Sequence, residues 1–147
     1  MDRRTFLARY GTVSVGVVMS GTLLELLSGC STIPEIRAKN DGGSIRIPGS
    51  AFLVDGERVP TVVANIQGSK FPIAVFAPPT GEPLALLLRC THKGCPLSAE
   101  EFGYSCSCHG SEFTSTGQVK TGPAKEELQR LPVVMQGSDY IVRMPSS

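Results

Sequence analysis

The sequence predicts an all-β fold, a small antiparallel β sandwich that carries a subdomain of loops. Three features of the 147 residues support this prediction. The apolar runs are short and rich in β-branched residues, which is typical of strands. Gly (16 residues) and Pro (11 residues) are abundant between the runs, and Trp is absent. Only one short stretch has a helical composition, so helices that alternate with parallel strands are not expected.

Each predicted strand is an apolar run that ends at turn residues. The runs are residues 45–47, 59–65, 73–76, 84–89, 133–135 and 140–143. Turns between them are marked by Gly68-Ser69, Pro78-Pro79-Thr80-Gly81 and Gly137-Ser138. The single predicted helix is short and covers residues 124–129. Many short strands in this order indicate antiparallel pairing.

The N-terminal residues have the pattern of an export signal. Adjacent arginines, Arg3 and Arg4, precede Phe6-Leu7, and an apolar stretch follows over residues 10–27. A charged segment before an apolar segment is the arrangement of secretory signals, and the arginine pair resembles a twin-arginine signal. Such a signal would export a protein that has already folded around its cofactor. The alternative is a charged pair that precedes an ordinary membrane helix.

The apolar stretch ends in Leu27-Ser28-Gly29-Cys30, which resembles a bacterial lipoprotein cleavage site. Cleavage before Cys30 and acylation of its thiol would account for the fifth cysteine of an exported protein. An uncleaved membrane helix is the alternative. It is disfavoured because a span needs about 20 apolar residues, and this stretch is shorter and contains Glu25. Either anchor would tether the domain to the periplasmic or extracytoplasmic face of a membrane.

The rest of the chain divides into a tether and one domain. Residues 30–44 are polar with Gly and Pro and predict a flexible tether. Residues 45–144 predict the compact domain. Removal of residues 1–29 takes three of the 14 basic and two of the 13 acidic residues, which leaves 11 of each. This balance gives no support for a nucleic-acid partner.

Two short motifs indicate a metal centre. They are CTHKGC at residues 90–95 and CSCHGS at residues 106–111, and they contain the only two histidines of the protein. Each motif can bring one thiol and one imidazole together across a turn: Cys90 with His92, and Cys106 with His109. Two thiolates with two imidazoles form the ligand set of a Rieske 2Fe-2S centre, in which histidines replace cysteines on one iron.

One cysteine of each motif then has no metal-binding role, namely Cys95 and Cys108. Cys108 is adjacent to His109, and neighbouring side chains of an extended loop point apart. In an oxidising compartment we expect Cys95 and Cys108 to form a disulfide that ties the two loops together.

The two motifs resemble those of high-potential Rieske proteins, as found in quinol–cytochrome c reductases, over residues 84–134. The resemblance implies a Rieske-like sandwich with a cluster-binding subdomain and the Cys95–Cys108 disulfide. It implies cysteines on the inner iron and histidines on the outer, solvent-facing iron, with the ligands Cys90, His92, Cys106 and His109. Gly122-Pro123-Ala124 resembles the proline loop of the family, so Pro123 would shield the cluster from water.

The resemblance also implies which residues tune the reduction potential. Ser111 matches a serine whose hydroxyl bonds a bridging sulfide, and hydrogen bonds to the sulfurs raise the potential. Phe113 stands where high-potential members often have a tyrosine, so one donor to a ligand cysteine is missing. We expect an intermediate-to-high potential within the Rieske range of about −150 to +300 mV.

Together these features predict a membrane-tethered electron-transfer protein. By resemblance, His92 or His109 would contact a quinol, a cytochrome b-type protein would supply electrons, and a cytochrome c-type protein would accept them. The chain would then be the iron–sulfur subunit of a quinol–cytochrome c oxidoreductase. Catalysis by the domain alone lacks support, because both histidines are assigned as ligands.

Two other functions share part of this pattern. The small Rieske subunit of an arsenite oxidase-like molybdenum enzyme also has a twin-arginine signal, the extra cysteine pair and often a Phe at the position of Phe113. A structural zinc site uses the same Cys2His2 set in tetrahedral geometry. Zinc gives no role to Cys95 and Cys108.

Overall fold

The computed structural model of the protein describes residues 33–145 and confirms the all-β fold. Fourteen strands and one 3₁₀ turn (Gly49–Phe52) form the regular structure of these residues, in sheets of five, four, three and two strands. Within the same residues, no helix is long and apolar enough to span a membrane. The predicted export signal and Cys30 lie outside the described residues.

The largest sheet forms the middle layer of the domain. Its order is β1, β5, β6, β7, β12, and all neighbours are antiparallel except the parallel pair of β1 and β5. These strands are β1 (Glu35–Ala38), β5 (Thr61–Ile66), β6 (Ile73–Phe76), β7 (Leu84–Leu87) and β12 (Arg130–Leu131). The apolar runs at residues 62–64, 73–76 and 84–87 of β5, β6 and β7 are continuous because these strands bury both faces.

This central sheet separates two hydrophobic cores. Side chains on one face, such as Val62 and Val75, belong to the first core. Side chains on the other face, such as Val63 and Leu86, belong to the second core, which also contains Cys90 and Cys106. Successive residues of a strand point to opposite faces, so each of these strands contributes to both cores.

A three-stranded sheet covers the first core. Its order is β13, β14, β2. A short hairpin of β3 and β4 follows β2 and the 3₁₀ turn in the chain. The strands are β2 (Ser44–Ile47), β3 (Leu53–Val54), β4 (Glu57–Arg58), β13 (Val133–Gln136) and β14 (Asp139–Arg143). Asp139 joins β14 to β2, because its carboxylate accepts hydrogen bonds from the Gly49 amide (3.2 Å) and the Arg46 guanidinium (3.0 Å).

A four-stranded antiparallel sheet covers the second core and carries the two motifs. Its order is β11, β10, β9, β8. The strands are β8 (Ser98–Glu100), β9 (Gly103–Ser105), β10 (Glu112–Thr114) and β11 (Val119–Thr121). The hairpin of β8 and β9 connects the two motifs, so both motifs lie at the end of the hairpin remote from its turn. The hairpin therefore places the two motifs side by side.

The predicted helix over residues 124–129 is wrong, because this segment is irregular. Its polar backbone groups bond to other parts of the domain. The Leu128 amide donates to the Gly117 carbonyl (2.8 Å), and the Gln129 carbonyl accepts from the Leu87 amide (3.0 Å). Ala124 and Leu128 are also buried in the second core. These tertiary bonds and contacts outweigh the helical preference of the composition.

The flexible tether predicted over residues 30–44 also differs from the structure in its described part. Glu35–Ala38 form β1, which pairs in parallel with β5, and the Ala38 carbonyl accepts from the Gln67 amide (2.9 Å). Ala38 is buried in the first core. A non-local strand partner, which the local composition does not reveal, fixes these residues.

Candidate metal centre

The first motif forms a tight loop (residues 90–95, the first loop) at the end of the central sheet. Arg89 and Pro96 make an isolated antiparallel bridge at its base. The Cys90 amide donates to the Cys95 carbonyl (2.8 Å), and the Gly94 amide donates to the Cys90 carbonyl (2.8 Å). Gly94 has a φ of +73°, a conformation in which glycine is favoured because it has no Cβ.

The second motif forms a loop (residues 106–111, the second loop) with the same hydrogen bonds. The Cys106 amide donates to the Ser111 carbonyl (2.9 Å), and the Gly110 amide donates to the Cys106 carbonyl (2.9 Å). Gly110 also has a positive φ, +77°. In each loop the first cysteine and the glycine four positions later therefore have equivalent structural roles.

The predicted disulfide between Cys95 and Cys108 is confirmed, with a Cα–Cα distance of 6.6 Å. It covalently links the first loop to the second. The Cys106 thiol lies close by, since the three sulfurs of Cys95, Cys106 and Cys108 are all within 4.8 Å of one another. Because two of these sulfurs are bonded to each other, this group is not a set of three metal ligands. The disulfide instead forms one wall beside Cys106.

Cys90 and Cys106 are free thiols, and each is only 2% exposed. Burial by itself would raise the pKa of the Cys90 thiol. Hydrogen bonds outweigh burial: the pKa is held below its ordinary value by the amides of His92 and Lys93 and by the side chains of Cys106 and Ser111. The buried pocket thus favours a thiolate, which is the form of cysteine that binds metals.

The two imidazoles lie beside each other at the surface of the same site. The ring centroids of His92 and His109 are 4.9 Å apart, and the ring planes are nearly perpendicular, at 88°. His109 is exposed and His92 is half-buried. Desolvation lowers the pKa of His92, and the positive charges of His109 and Lys93 lower it further. These effects favour the neutral imidazole, the form that binds metals.

One nitrogen of His92 points to a missing partner. Within residues 33–145, His92 Nδ1 is the one buried side-chain nitrogen or oxygen without a hydrogen bond. Buried polar atoms are nearly always satisfied, so an orphan needs an explanation such as a bound ion. A metal on Nδ1 provides one. The donor set of two buried thiols and two peripheral imidazoles fits a diiron cluster with unlike ligands on its two irons.

Ser111 and the Gly122-Pro123-Ala124 segment close the site from the side. Ser111 is fully buried, and its hydroxyl oxygen accepts a hydrogen bond from the Ala124 amide (3.0 Å). The Gly122–Pro123 peptide bond is cis, and Pro123 itself is exposed. Phe113 is 1% exposed and belongs to the second core, together with both free thiols.

The structure adds one contact that the sequence analysis missed. The Thr91 hydroxyl donates to the Glu126 carbonyl (2.7 Å) and so connects the first loop to the segment after Pro123. Thr91 lies between Cys90 and His92 in the motif. Nothing in the local sequence indicated a partner 35 residues away.

Comparison with known proteins identifies the family. The Rieske 2Fe-2S domain matches residues 51–132, which is more than half of the chain. Cytochrome b6-f complex iron-sulfur subunit 1 of Trichormus variabilis is 32% identical over 159 aligned positions, which cover 99% of this chain and 85% of that protein.

Two further comparisons cover smaller parts. Cytochrome b6-f complex iron-sulfur subunit 2 of Trichormus variabilis is 32% identical over 97 residues, 65% of this chain and 54% of that protein. The chain thus spans about half the length of this relative. A structure of hyperthermophilic respiratory Complex III has 24% identity and a TM-score of 0.50, and covers 65% of this chain and 71% of that one. At this identity it supports the fold alone.

The matched residues include both loops, the disulfide and the Pro123 segment. This match argues against a structural zinc site, because the family binds an iron–sulfur cluster. The chain belongs to the Rieske 2Fe-2S domain family, and it is an electron-transfer protein that carries a 2Fe-2S cluster.

Proposed function

We propose that this protein is a membrane-tethered carrier that takes electrons from quinol and passes them to a cytochrome c-type acceptor. In this proposal the cluster is held by Cys90, His92, Cys106 and His109. The observation that carries it is the asymmetry of the site: both thiols are 2% exposed, whereas the neighbouring imidazoles reach the surface. A partner can therefore approach the histidines but not the cysteines.

The choice of ligands follows from the chemistry of each candidate. Cys95 and Cys108 are joined in a disulfide and have no free thiolate. The remaining thiols of the two loops, Cys90 and Cys106, are free. The orphaned Nδ1 of His92 is buried, which leaves Nε2 as the ring nitrogen available to an outside partner. By its equivalent place beside His92, His109 completes the set.

The bound cluster would supply one-electron oxidation and reduction. The chain's own part is to orient the substrate and to take up its proton. A neutral imidazole Nε2 at the surface accepts a hydrogen bond from a quinol hydroxyl, and it takes the proton as the electron leaves the quinol. The thiols of Cys90 and Cys106 are buried on the inner side of the site.

Relatives support the choice of partners. The relatives described above are iron-sulfur subunits of cytochrome b6-f complexes, and a mitochondrial relative from Chlorocebus aethiops is the Rieske subunit of the cytochrome b-c1 complex. We therefore propose a cytochrome b-type partner that presents the quinol. Tethering by an acylated Cys30, after export through the Arg3-Arg4 signal, would hold the domain next to this membrane partner.

Ligand replacement tests the metal assignment. We expect His92→Ala and His109→Ala each to abolish the visible absorption bands and the mixed-ligand EPR spectrum of the reduced protein. Lys93→Ala and Ser107→Ala are matched controls, because they lie in the same loops and are exposed. Retention of both signals in either histidine variant would refute the ligand set.

Reduction by quinol tests the electron donor. The full-length protein with its cluster should be bleached by a short-chain quinol, and it should then reduce an added c-type cytochrome. An intact EPR spectrum without bleaching by quinol would refute the quinol role and leave the ligand set standing.

Fractionation tests the tether. Cys30→Ala should release the protein from the membrane if Cys30 carries the anchor, while Cys90 and Cys106 remain unchanged. A Cys30→Ala protein that still sediments with membranes would refute the lipid anchor and favour a retained N-terminal helix.

A further inference from the structure

Arg89 makes two contacts that the proposed mechanism does not use. It directly precedes Cys90, and its guanidinium carbon lies 5.5 Å from the centroid of the Phe71 ring. This distance is within the range of a cation–π interaction. Phe71 lies in the turn before β6. The carbonyl of the next residue, Pro72, accepts a hydrogen bond from the Leu88 amide (2.9 Å).

The same guanidinium also lies against the backbone of the first loop. A Cβ placed on Gly94 would be only 3.1 Å from Arg89 Nε and 3.4 Å from Arg89 Nη2. Gly94 therefore leaves the space that the guanidinium occupies, in addition to supplying the positive φ of the loop. Arg89 thus connects the turn before β6, through Phe71, to the loop that carries Cys90 and His92.

The charge of Arg89 is not neutralised by an ion pair. Among the described residues no carboxylate lies within 4.0 Å of its guanidinium. Glu126 lines the same cavity of about 300 Å³ as Arg89, and Lys93 adds a second positive charge there. Lys70 contacts the ring of Phe71, with its Nζ 5.6 Å from the centroid. Around the first loop, the positive charges of Arg89, Lys93 and Lys70 therefore outnumber the negative charge of Glu126.

We propose that Arg89 is a positioning residue of the metal centre with two effects. Its guanidinium holds the first loop against Phe71, and its positive charge stabilises the reduced, more negative state of the cluster and so raises the reduction potential. This inference rests on the proposed ligands Cys90 and His92. Arginine suits both effects because it is planar and always charged.

The potential of Arg89→Gln, measured by redox titration followed by EPR, tests the effect of charge. We expect a potential below that of the wild type. Arg37→Gln is the matched control, since it removes the same charge from β1. Three strand spacings separate β1 from β7, about 14 Å at the usual spacing, which exceeds the Debye length of about 8 Å at physiological salt. Equal shifts in the two variants would overturn the electrostatic effect.

Hydrogen–deuterium exchange tests the positioning effect. In Arg89→Gln and Phe71→Leu, peptides covering residues 88–97 should exchange about threefold faster, the factor expected for loss of one exposed cation–π contact. Arg89→Lys keeps the charge but not the planar group, so its potential should stay nearer the wild type while its loop exchanges faster. If Phe71→Leu and Arg89→Gln leave this exchange unchanged, positioning is refuted.

The EPR spectrum separates failure of this inference from failure of the ligand set. If wild-type protein lacks the mixed-ligand signal, the ligand assignment is wrong and this inference falls with it. If the signal is present and Arg89→Gln shifts neither potential nor exchange, only the role of Arg89 is refuted. If Arg89→Gln does not fold, Arg89→Lys takes its place. A potential of Arg89→Lys below that of Arg37→Gln would refute the charge effect. Unchanged exchange of residues 88–97 in Arg89→Lys would refute positioning.

Discussion

At the scale of single residues, Ser111 links the second loop to two other parts of the metal centre. It is fully buried, its hydroxyl oxygen accepts from the Ala124 amide, and its side chain helps to lower the pKa of Cys90. One hydroxyl thus satisfies a buried amide of the Pro123 segment and helps to lower the pKa of a thiol of the first loop. The sequence resemblance assigns this residue only to tuning, whereas the structure adds a role in closing the site.

We expect Ser111→Ala to affect both stability and potential. The variant leaves the buried Ala124 amide without an acceptor, and an unsatisfied buried donor costs about 1–3 kcal/mol of unfolding free energy. Loss of the donor to sulfur should also lower the reduction potential. Urea unfolding and redox titration measure the two effects. Ser115→Ala, at a half-buried serine of the same subdomain, is the control and should change neither quantity; equal changes in both variants would contradict the proposed bonds.

At the scale of elements, the disulfide determines how the two loops stay together. Cys95 and Cys108 are 13 residues apart, and the chain between them includes the hairpin of β8 and β9. Closing a loop of this length in the unfolded chain corresponds to about 3 kcal/mol of stability. The bond also fixes the two loops that carry the free thiols and imidazoles.

We therefore expect the double variant Cys95→Ser with Cys108→Ser to lose about 3 kcal/mol of unfolding free energy. The cluster should also be lost faster, because the loops are joined only through the hairpin. Urea unfolding and the decay of the visible absorption measure these effects. Reduction of the wild type with dithiothreitol should reproduce the faster decay. Unchanged decay in both cases would show that the hairpin alone holds the loops.

The contact between β14 and β2 makes the stability of the three-stranded sheet depend on pH. The Gly49 amide and the Arg46 guanidinium hold the pKa of Asp139 below its ordinary value of 3.8. The carboxylate therefore contributes stability that is fully present above pH 3.8 and is lost as the pH falls towards the lowered pKa. We expect the urea midpoint to fall less between pH 6 and pH 3 in Asp139→Asn than in the wild type. Asp41→Asn is the control; if it matches Asp139→Asn, the junction is not responsible.

Strands with apolar runs could be predicted from the sequence, and the polar strands could not. The predicted runs correspond to β2, β5, β6, β7, β13 and β14, with ends that differ by a few residues. β8 (Ser98–Glu100) is polar and exists because β9 pairs with it. β1 depends on a parallel partner whose paired residues lie 28 positions later in the chain. Local composition does not contain such non-local pairing, and it misled the prediction for residues 124–129 for the same reason.

The site was more predictable than the fold around it, because its chemistry is local. Two motifs of six residues contain both histidines and four of the five cysteines. The structure brings the two loops together and forms the predicted disulfide. The contacts that hold the loops in place could not be predicted, because their partners lie outside the motifs. They are the Thr91 bond to residue 126, the Ser111 bond to residue 124 and the contact of Arg89 with Phe71.

At the scale of the whole molecule, the two cores differ in what stabilises them. The first core consists of aliphatic and aromatic side chains of two sheets and contains no cysteine among the described residues. The second core contains the free thiols of Cys90 and Cys106, and the short strands that cover it have few buried residues. We therefore expect metal binding to contribute to the folding free energy of the second core, whereas the first core contains none of the proposed ligands.

We accordingly expect removal of iron by a chelator to loosen one half of the domain and leave the other half folded. Hydrogen exchange should increase in peptides covering residues 98–121, while peptides covering β2 and β14 stay protected. Chelation of Ser115→Ala should give the same pattern, because Ser115 is half-buried and is not one of the proposed ligands. Uniform loss of protection would mean that the central sheet couples both cores into one cooperative unit. Because β5, β6 and β7 contribute to both cores, their own exchange should be intermediate, and this gradient across the central sheet distinguishes partial from global unfolding.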